Sequence, residues 1–466
     1  MSRDLRSRFI GDRAFYRTLL AVAVPIMLQN GLTNLVSLLD NIMVGAVGTE
    51  QMSGVSIVNQ LLFVFNLCIF GGLSGAGIFT AQFFGSQDHE GVRHTFRFKF
   101  LVSVGLVIVG TAVFLLAGQP LIRLYLQGDG DPRDVAITLA YGSDYLRIML
   151  LGLLPFALAS AYSGTLRETG QTMVPMVGGI VAVFVNLIFN YILIFGHFGA
   201  PAMGVRGAAV ATVLSRYVEL AIVAGWTHLK SGRNPFIEGA YSSMRIPRGL
   251  LKGIIIKGMP LLVNEALWSL GMAFLNQCYS VRGLDVVAAM NIATTLNNLA
   301  SVVFLSMGNT VGIIIGQMLG AGKSAEEVRD ADNKLIAVAV GSCLVFGGLM
   351  ALAGEAFPHI YNTTDSVRHI ATRIIWICAA FMPIHSYCNA TYFTLRSGGQ
   401  TMVTFLFDSC YVWVCSVPLA FCLSRFTSLP IVWLYLACSC MDLVKCVLGY
   451  IMLRRGTWIQ NLAKTE

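Results

Sequence analysis

Apolar residues fall in long runs separated by short polar breaks, and each run is at least about the 20 residues that a helix needs to cross a bilayer. Twelve such segments can be marked, at about 16–44, 53–82, 97–118, 138–164, 172–195, 204–229, 254–280, 286–317, 333–355, 366–393, 402–424 and 428–453. An even number of crossings puts both termini on one side, and the basic residues say which. Arg3, Arg6, Arg8, Arg13 and Arg17 precede the first segment; Arg93, Arg97 and Lys99 follow the second, and Arg167 the fourth. Lys230, Arg233, Arg245, Arg248, Lys252 and Lys257 surround the connection after the sixth. Lys323, Arg329 and Lys334, then Arg396, then Arg454, Arg455 and Lys464 continue the same side. The alternate connections hold chiefly Arg123, Arg133, Arg206, Arg282, Arg368 and Arg425, so the positive-inside rule makes both termini cytoplasmic.

The segment Ser231–Gly253, SGRNPFIEGAYSSMRIPRGLLKG, is the one long polar interruption near the middle, with Pro and Gly, and it reads as a cytoplasmic linker. The expected organisation is an N-terminal lobe at 1–230, this linker at 231–253 and a C-terminal lobe at 254–466. The halves repeat one another. TLRETGQTMV at 165–174 returns as TLRSGGQTMV at 394–403, and GIFTAQFFGSQ at 77–87 returns as GIIIGQMLGAG at 312–322, aligning Gln82 with Gln317 and Gly85 with Gly320. Pro25 matches Pro260, which sets Gln29 and Asn30 opposite Asn264 and Glu265. Both copies start on the same side, so the repeat is parallel, about an axis along the membrane normal, as in secondary transporters whose site lies between halves. The fold class is therefore all-α integral membrane, twelve transmembrane helices in two pseudo-symmetric six-helix lobes. A non-transporting scaffold could also arise by duplication, but it would have no use for acids beside the matched prolines.

Composition agrees. Of 466 residues, 56% are hydrophobic and 12% charged, where soluble domains carry about 25% charged residues. The net charge of +8 is spread over one side of the membrane and forms no block of the kind that binds nucleic acid. The eleven cysteines have no metal-site spacing and read as small buried thiols. The arginine-rich start leads into a run too long and too polar for a cleaved signal, and is read as a retained first helix. Neither a Walker motif nor a nucleophilic or metal constellation is present, so an enzyme and direct ATP drive are not expected.

The chemistry resides in acids inside the spans. Even by lenient scales, a carboxylate at mid-membrane costs roughly 2.5–3.5 kcal/mol, so it should face protein or a wet cavity. Asp144, Glu219 and Asp442 have Arg147, Arg216 and Lys445 three residues away and are read as structural pairs along one helix. Asp40 and Glu265 have no basic residue at three or four positions either way. An unpaired buried acid takes up a proton or binds a metal cation, or is simply satisfied by amides such as Asn34 and Asn41. Asp40 and Glu265 are thus the candidate coupling acids. Asn186 and Asn190, four apart and on one helical face, are candidate amides beside Asp40, or a plain interhelical bond. Gln29, Asn34 and Asn264 complete the candidate polar lining, and Asp408 is open between a functional and a structural role.

Four blocks carry a resemblance over nearly the whole chain: LLDNIMVGAVGTEQMSGVSI at 38–57, PMVGGIVAVFVNLIFNYILIFGHFGAPAMGVRGAAVATVLSR at 175–216, GMPLLVNEALWSLG at 258–271 and DSCYVWVCSVPLAF at 408–421. The sequence resembles the multidrug and toxic compound extrusion (MATE) family. The resemblance implies a V-shaped pair of lobes that alternates access and exports drug-like cations in exchange for protons or sodium. Asp40 falls on the first-helix acid of the proton-driven branch, and Asn186 and Asn190 on the fifth-helix pair around it. Some members have aspartate where this chain has Asn190, a departure that removes one charge and leaves the coupling ion open. Glu265 matches the seventh-helix glutamate of other branches, whose tenth-helix acid has no counterpart in AAFMPIHSYCNATYFTLRSGG. The expectations are a secondary active multidrug antiporter in the cell inner membrane, with H+ or Na+ as coupling ion, sodium being held, if used, at Asp40 or Glu265. The partners are drug-like cations and membrane lipid, the default state a monomer. The alternative is a lipid-linked oligosaccharide flippase of related fold, which would want a strongly cationic cavity.

Overall fold

Each of the twelve runs is a helix in the computed structural model, which describes residues 9–126 and 132–464. Arg3, Arg6 and Arg8, used above to orient the chain, lie outside the described residues. In lipid the backbone must satisfy itself, and helices do this within one segment. The helices are α1 Arg13–Gly45, α2 Thr49–Gly85 and α3 His89–Tyr125, then α4 Pro132–Glu168, α5 Met173–Phe195 and α6 Val205–Leu229. The second six are α7 Arg248–Ser280, α8 Leu284–Gly320 and α9 Ala325–Ala356, then α10 Asp365–Ser397, α11 Thr401–Phe426 and α12 Ile431–Arg455. Eleven are long and apolar enough to cross a membrane. The other, α7, is 33 residues long but carries Lys257, Asn264 and Glu265 along its length.

Several helices overrun their apolar runs because polar ends reach past the hydrocarbon. At the start of α9 a capping box does this: Ser324 Oγ accepts from Glu327 N at 3.3 Å, while Glu327 Oε2 accepts from Ser324 N at 3.0 Å. Inside α4 a 3-10 turn, Leu150–Gly152, precedes Pro155, which has no N–H to continue the ladder. In α11 two π turns, Leu406–Cys410 and Val412–Ser416, precede Pro418.

Among the described residues the chain packs as two compact units, one drawn from Met1–Met27, Ala81–Asp88 and Ile255–Glu466, the other from Leu28–Thr80 and His89–Ile254. In the first, Leu19 and Ala23 of α1 pack with Met307, Val311, Leu335 and Trp458. There the two copies of the repeated glycine motif also meet. A Cβ on Gly85 would strike the Gln317 carbonyl, and one on Gly320 the Gln82 carbonyl. Small residues permit such backbone approach in membranes. Gln82 Nε2 then donates to Ser397 O at 2.8 Å and Gln460 O at 3.2 Å, and its Oε1 accepts from Leu462 N at 2.6 Å.

The second unit is built around Val58, Ile69, Ile122, Leu146, Leu153 and Ala209. It includes the 231–247 segment, with Phe236, Ile237 and Ala240 buried. Arg97 holds this segment through Ala240 O and Gly239 O, both at 2.8 Å, and Arg93 through Phe236 O and Pro235 O, both at 3.3 Å. Lys99, also on α3, pairs with Glu168 and donates to Thr165 Oγ1 at 3.2 Å. These cations, counted above as topology signals, are thus spent on internal bonds.

Candidate functional site

The first polar cluster lies in the second unit. On α5 the buried residues Pro175, Gly178, Gly179, Ala182, Asn186, Asn190 and Ile194 form a stripe at helical spacing, small and polar along its middle. That stripe delivers two amides to the acid of α1. Asn190 Nδ2 donates to Asp40 Oδ1 at 2.6 Å. Asn186, with its amide nitrogen turned to the acid, donates to both carboxylate oxygens, at 3.0 and 2.9 Å, and accepts from Thr212 Oγ1 of α6 at 3.2 Å. With the amide turned the other way, Asn186 Nδ2 donates to Thr212 Oγ1 at 3.2 Å, and Thr212 donates to Ala208 O at 3.0 Å. Tyr145 of α4, buried, feels the charge of Asp40 and donates to Asn59 Oδ1 at 3.4 Å. Asn190 Oδ1 is buried without a hydrogen-bond partner. Among the described residues no Lys, Arg or His lies within ion-pair distance of Asp40.

The second cluster lies in the first unit. Asn264 of α7, 1% exposed, donates to Asp408 Oδ2 at 3.1 Å and reaches Tyr392 Oη at 3.5 Å. Its Oδ1 accepts from Ser409 N at 3.2 Å and from Ser409 Oγ at 2.7 Å. Tyr392 donates to Glu265 Oε1 at 3.4 Å. Asp408 sits in the first π turn of α11, and its other oxygen, Oδ1, accepts from Lys445 Nζ of α12 at 2.7 Å. Arg396 and Asp408 are charges that act on Glu265.

A sequence model of the MatE family matches residues 25–192 and 260–422, one stretch in each half. The chain belongs to the MatE family. Over 460 residues it is 24% identical to the probable multidrug resistance protein NorM of Thermotoga maritima, spanning 97% of this chain and 94% of that one. It is 26% identical over 420 residues to the multidrug resistance protein PmpM of Pseudomonas aeruginosa, spanning 90% and 86%. Its fold matches an outward-facing multidrug resistance MATE family transporter of the MOP superfamily with a TM-score of 0.86, at 20% identity, covering 98% of this chain and 99% of that one. A MOP superfamily transporter from Pyrococcus furiosus, described as having a binding pocket of reversed polarity, matches with a TM-score of 0.83 at 20% identity, covering 98% and 99%. MatE proteins are membrane transporters, not enzymes.

In this MatE protein the expected residues divide into those the structure gathers and those it does not. Asp40, Asn186 and Asn190 are gathered, as are Glu265, Asn264 and Asp408. Gln29 is not beside Asp40. It lies about 16 Å away along α1, eleven residues at helical rise, and its Oε1 accepts from Arg167 Nη2 at 2.6 Å. Asn34 is exposed, and the side chain of Asn41 lies outside the described residues.

The expected structural pairs of this MatE protein are also redrawn. Asp144 pairs across helices with Arg206, at 2.7 Å, rather than with Arg147. Asp442 pairs with His385 at 3.0 Å, because Lys445 turns to the more buried Asp408. Arg216 donates to Gly152 O at 3.2 Å and lies over the Phe156 ring, while it and Glu219 act on each other as opposite charges without a direct ion-pair contact. Tyr145, Thr212, Tyr392, Ser409 and Lys445 were not among the expected site residues. The signals for them were the block at 175–216, which contains Thr212, the block at 408–421, which contains Ser409, and the spacing of Lys445 from Asp442.

Proposed function

We propose that this MatE protein is a proton-coupled antiporter that exports cationic or amphipathic drug-like compounds, with Asp40 carrying the coupling proton. The observation that supports this most is the donor set at Asp40: amide N–H groups and no basic partner among the described residues. Alkali and other hard cations want several oxygen ligands, whereas N–H donors suit a carboxylate that gains and loses a proton. The two settings of Asn186 fit the two states. An ionised Asp40 accepts from the Asn186 amide, which in turn accepts from Thr212. A protonated Asp40 donates to the Asn186 carbonyl, whose amide then donates to Thr212, and Thr212 to Ala208 O. Proton exchange thus reverses a chain of hydrogen bonds from α1 through α5 to α6.

A ligand shifts a conformational equilibrium only by its differential affinity for the two states. A proton bound at α1 supplies such a difference if the α1–α5–α6 network differs between outward- and inward-facing forms. Glu265, held by Tyr392, is the second carboxylate of the proposed cycle. An orientation with both termini cytoplasmic is supported by the clustering of Lys and Arg in alternate loops. The multidrug resistance names of the relatives support the substrate class. A flippase for lipid-linked oligosaccharides is disfavoured because the buried lysines Lys99 and Lys445 are each matched by a carboxylate.

The test is efflux of a fluorescent cation from proteoliposomes of known orientation, with proton and sodium gradients imposed separately. Transport should follow the proton gradient and be abolished in Asp40→Asn with the fold intact. Transport driven by sodium alone, or unchanged in Asp40→Asn, would remove Asp40 and the proton from the mechanism.

A further inference from the structure

The two polar clusters differ in one respect that the proposed function leaves unexplained: among the described residues only the second has a cation in ion-pair contact with one of its acids. Lys445 Nζ lies 2.7 Å from Asp408 Oδ1, with the two side chains 11% and 17% exposed. Around it stand the oxygens Asp408 Oδ2, Asn264 Oδ1, Ser409 Oγ, Tyr392 Oη and Glu265 Oε1, joined through the Asn264 amide nitrogen, which donates to Asp408 and reaches Tyr392, with Arg396 acting as a charge on Glu265. Carboxylate, amide and hydroxyl oxygens are the ligands that hard cations choose. A cation is also what two acids in a low-dielectric site require.

We infer that Lys445 is a tethered cation standing where Asp408 and its oxygen neighbours would otherwise take an alkali ion from solution, so that this one residue sets the ion selectivity of the C-terminal cluster. A group attached to the same chain competes as an intramolecular partner, always present at the site, whereas sodium must be drawn from solution. The first π turn of α11 serves the contact, since it carries Asp408 between the amide of α7 and the ammonium of α12. Lys445 neutralises Asp408 permanently, and ion exchange is left to Asp40 and Glu265. The inference rests on the proposed function only in this last clause.

The experiment measures ion binding, not transport, and so stands apart from the fate of the antiport reading. Purified full-length wild type, Lys445→Ala and the double variant Asp408→Asn/Lys445→Ala are compared for radioactive sodium binding. Thermal unfolding is measured in parallel in sodium chloride, propylammonium chloride and N-methyl-D-glucamine chloride at equal ionic strength. Lys445→Ala should gain saturable sodium binding and should be stabilised by sodium and by propylammonium, and the double variant should show neither effect. A folded Lys445→Ala that binds no sodium and gains no stability from it overturns the inference. Where Lys445→Ala does not fold, wild type against the double variant decides, because the double variant removes both charges together. Equal sodium binding, or none in either, supports the inference, and binding by wild type that the double variant loses overturns it.

Discussion

Gly320 is a position at which a single methyl group should be felt strongly. Its missing Cβ would point into the Gln82 carbonyl, so Gly320→Ala must push the ends of α2 and α8 apart. The end of α2 is not free to yield, since Gln82 is held at Ser397, Gln460 and Leu462. Overpacking costs about 1–3 kcal/mol, and each weakened hydrogen bond about 1 kcal/mol. Replacing glycine by alanine in a helix returns at most about 1 kcal/mol. The balance is a loss of roughly 1–4 kcal/mol. Gly341 in α9 is the control, because an added Cβ there meets nothing within 4 Å, and Gly341→Ala should be neutral or should stabilise by up to about 1 kcal/mol. Thermal unfolding of the purified variants, followed by tryptophan fluorescence, compares them directly; for domains of about 150–250 residues 1 kcal/mol moves Tm by about 2–4 °C. Gly85→Ala, opposite the Gln317 carbonyl, should behave as Gly320→Ala does. Equal Tm values for the Gly320 and Gly341 variants would refute the close crossing.

Asn190→Ala takes away the amide 2.6 Å from Asp40. A hydrogen bond to a charged group is worth about 1.5–3 kcal/mol, so initial rates of proton-driven efflux should fall about 10- to 100-fold, and an unaltered rate would exclude Asn190 from the coupling site. Lys99→Met removes the cation paired with Glu168 at a site where the lysine side chain is 1% exposed, and should destabilise by up to about 3–5 kcal/mol. Arg206→Ala breaks a pair whose arginine is 62% exposed, and should cost no more than about 1 kcal/mol by the same unfolding assay. Cys388 and Cys446 have their sulfurs 3.4 Å apart. Copper phenanthroline should therefore join α10 to α12 and protect both thiols from a maleimide, and two thiols that stay separately reactive would mean that the helices are not packed as described.

The helices were legible because the bilayer imposes a length that an apolar run either reaches or does not; the twelve runs and the twelve helices coincide apart from their polar ends. Asn186 and Asn190 were legible for a similar reason, as helical periodicity alone puts them on one face. Partners across helices were not. Asp442 and Lys445 are three apart on α12, and the sequence offers nothing to say that Lys445 spends its charge on α11. Helical spacing offered Arg147 to Asp144, and only the packing of α4 beside α6 brings Arg206 to it instead. Gln29 and Asp40 share a helix, yet the rise of the helix keeps them apart, a distance the pairing of Pro25 with Pro260 could not convey. The π turns of α11 had only Pro418 as a sign, and a proline is as consistent with a kink as with a widened turn.

Those widened turns make α11 a ratchet. A π turn carries one residue more than an α turn, so a passage from one form to the other advances the helix by one tooth, about 100° of rotation for everything beyond it. Asp408 stands on the first widened turn, and the direction in which it points is therefore a matter of register as much as of rotamer. Asn264 and Lys445, gripping its two oxygens from α7 and α12, are the pawl that keeps the tooth from slipping.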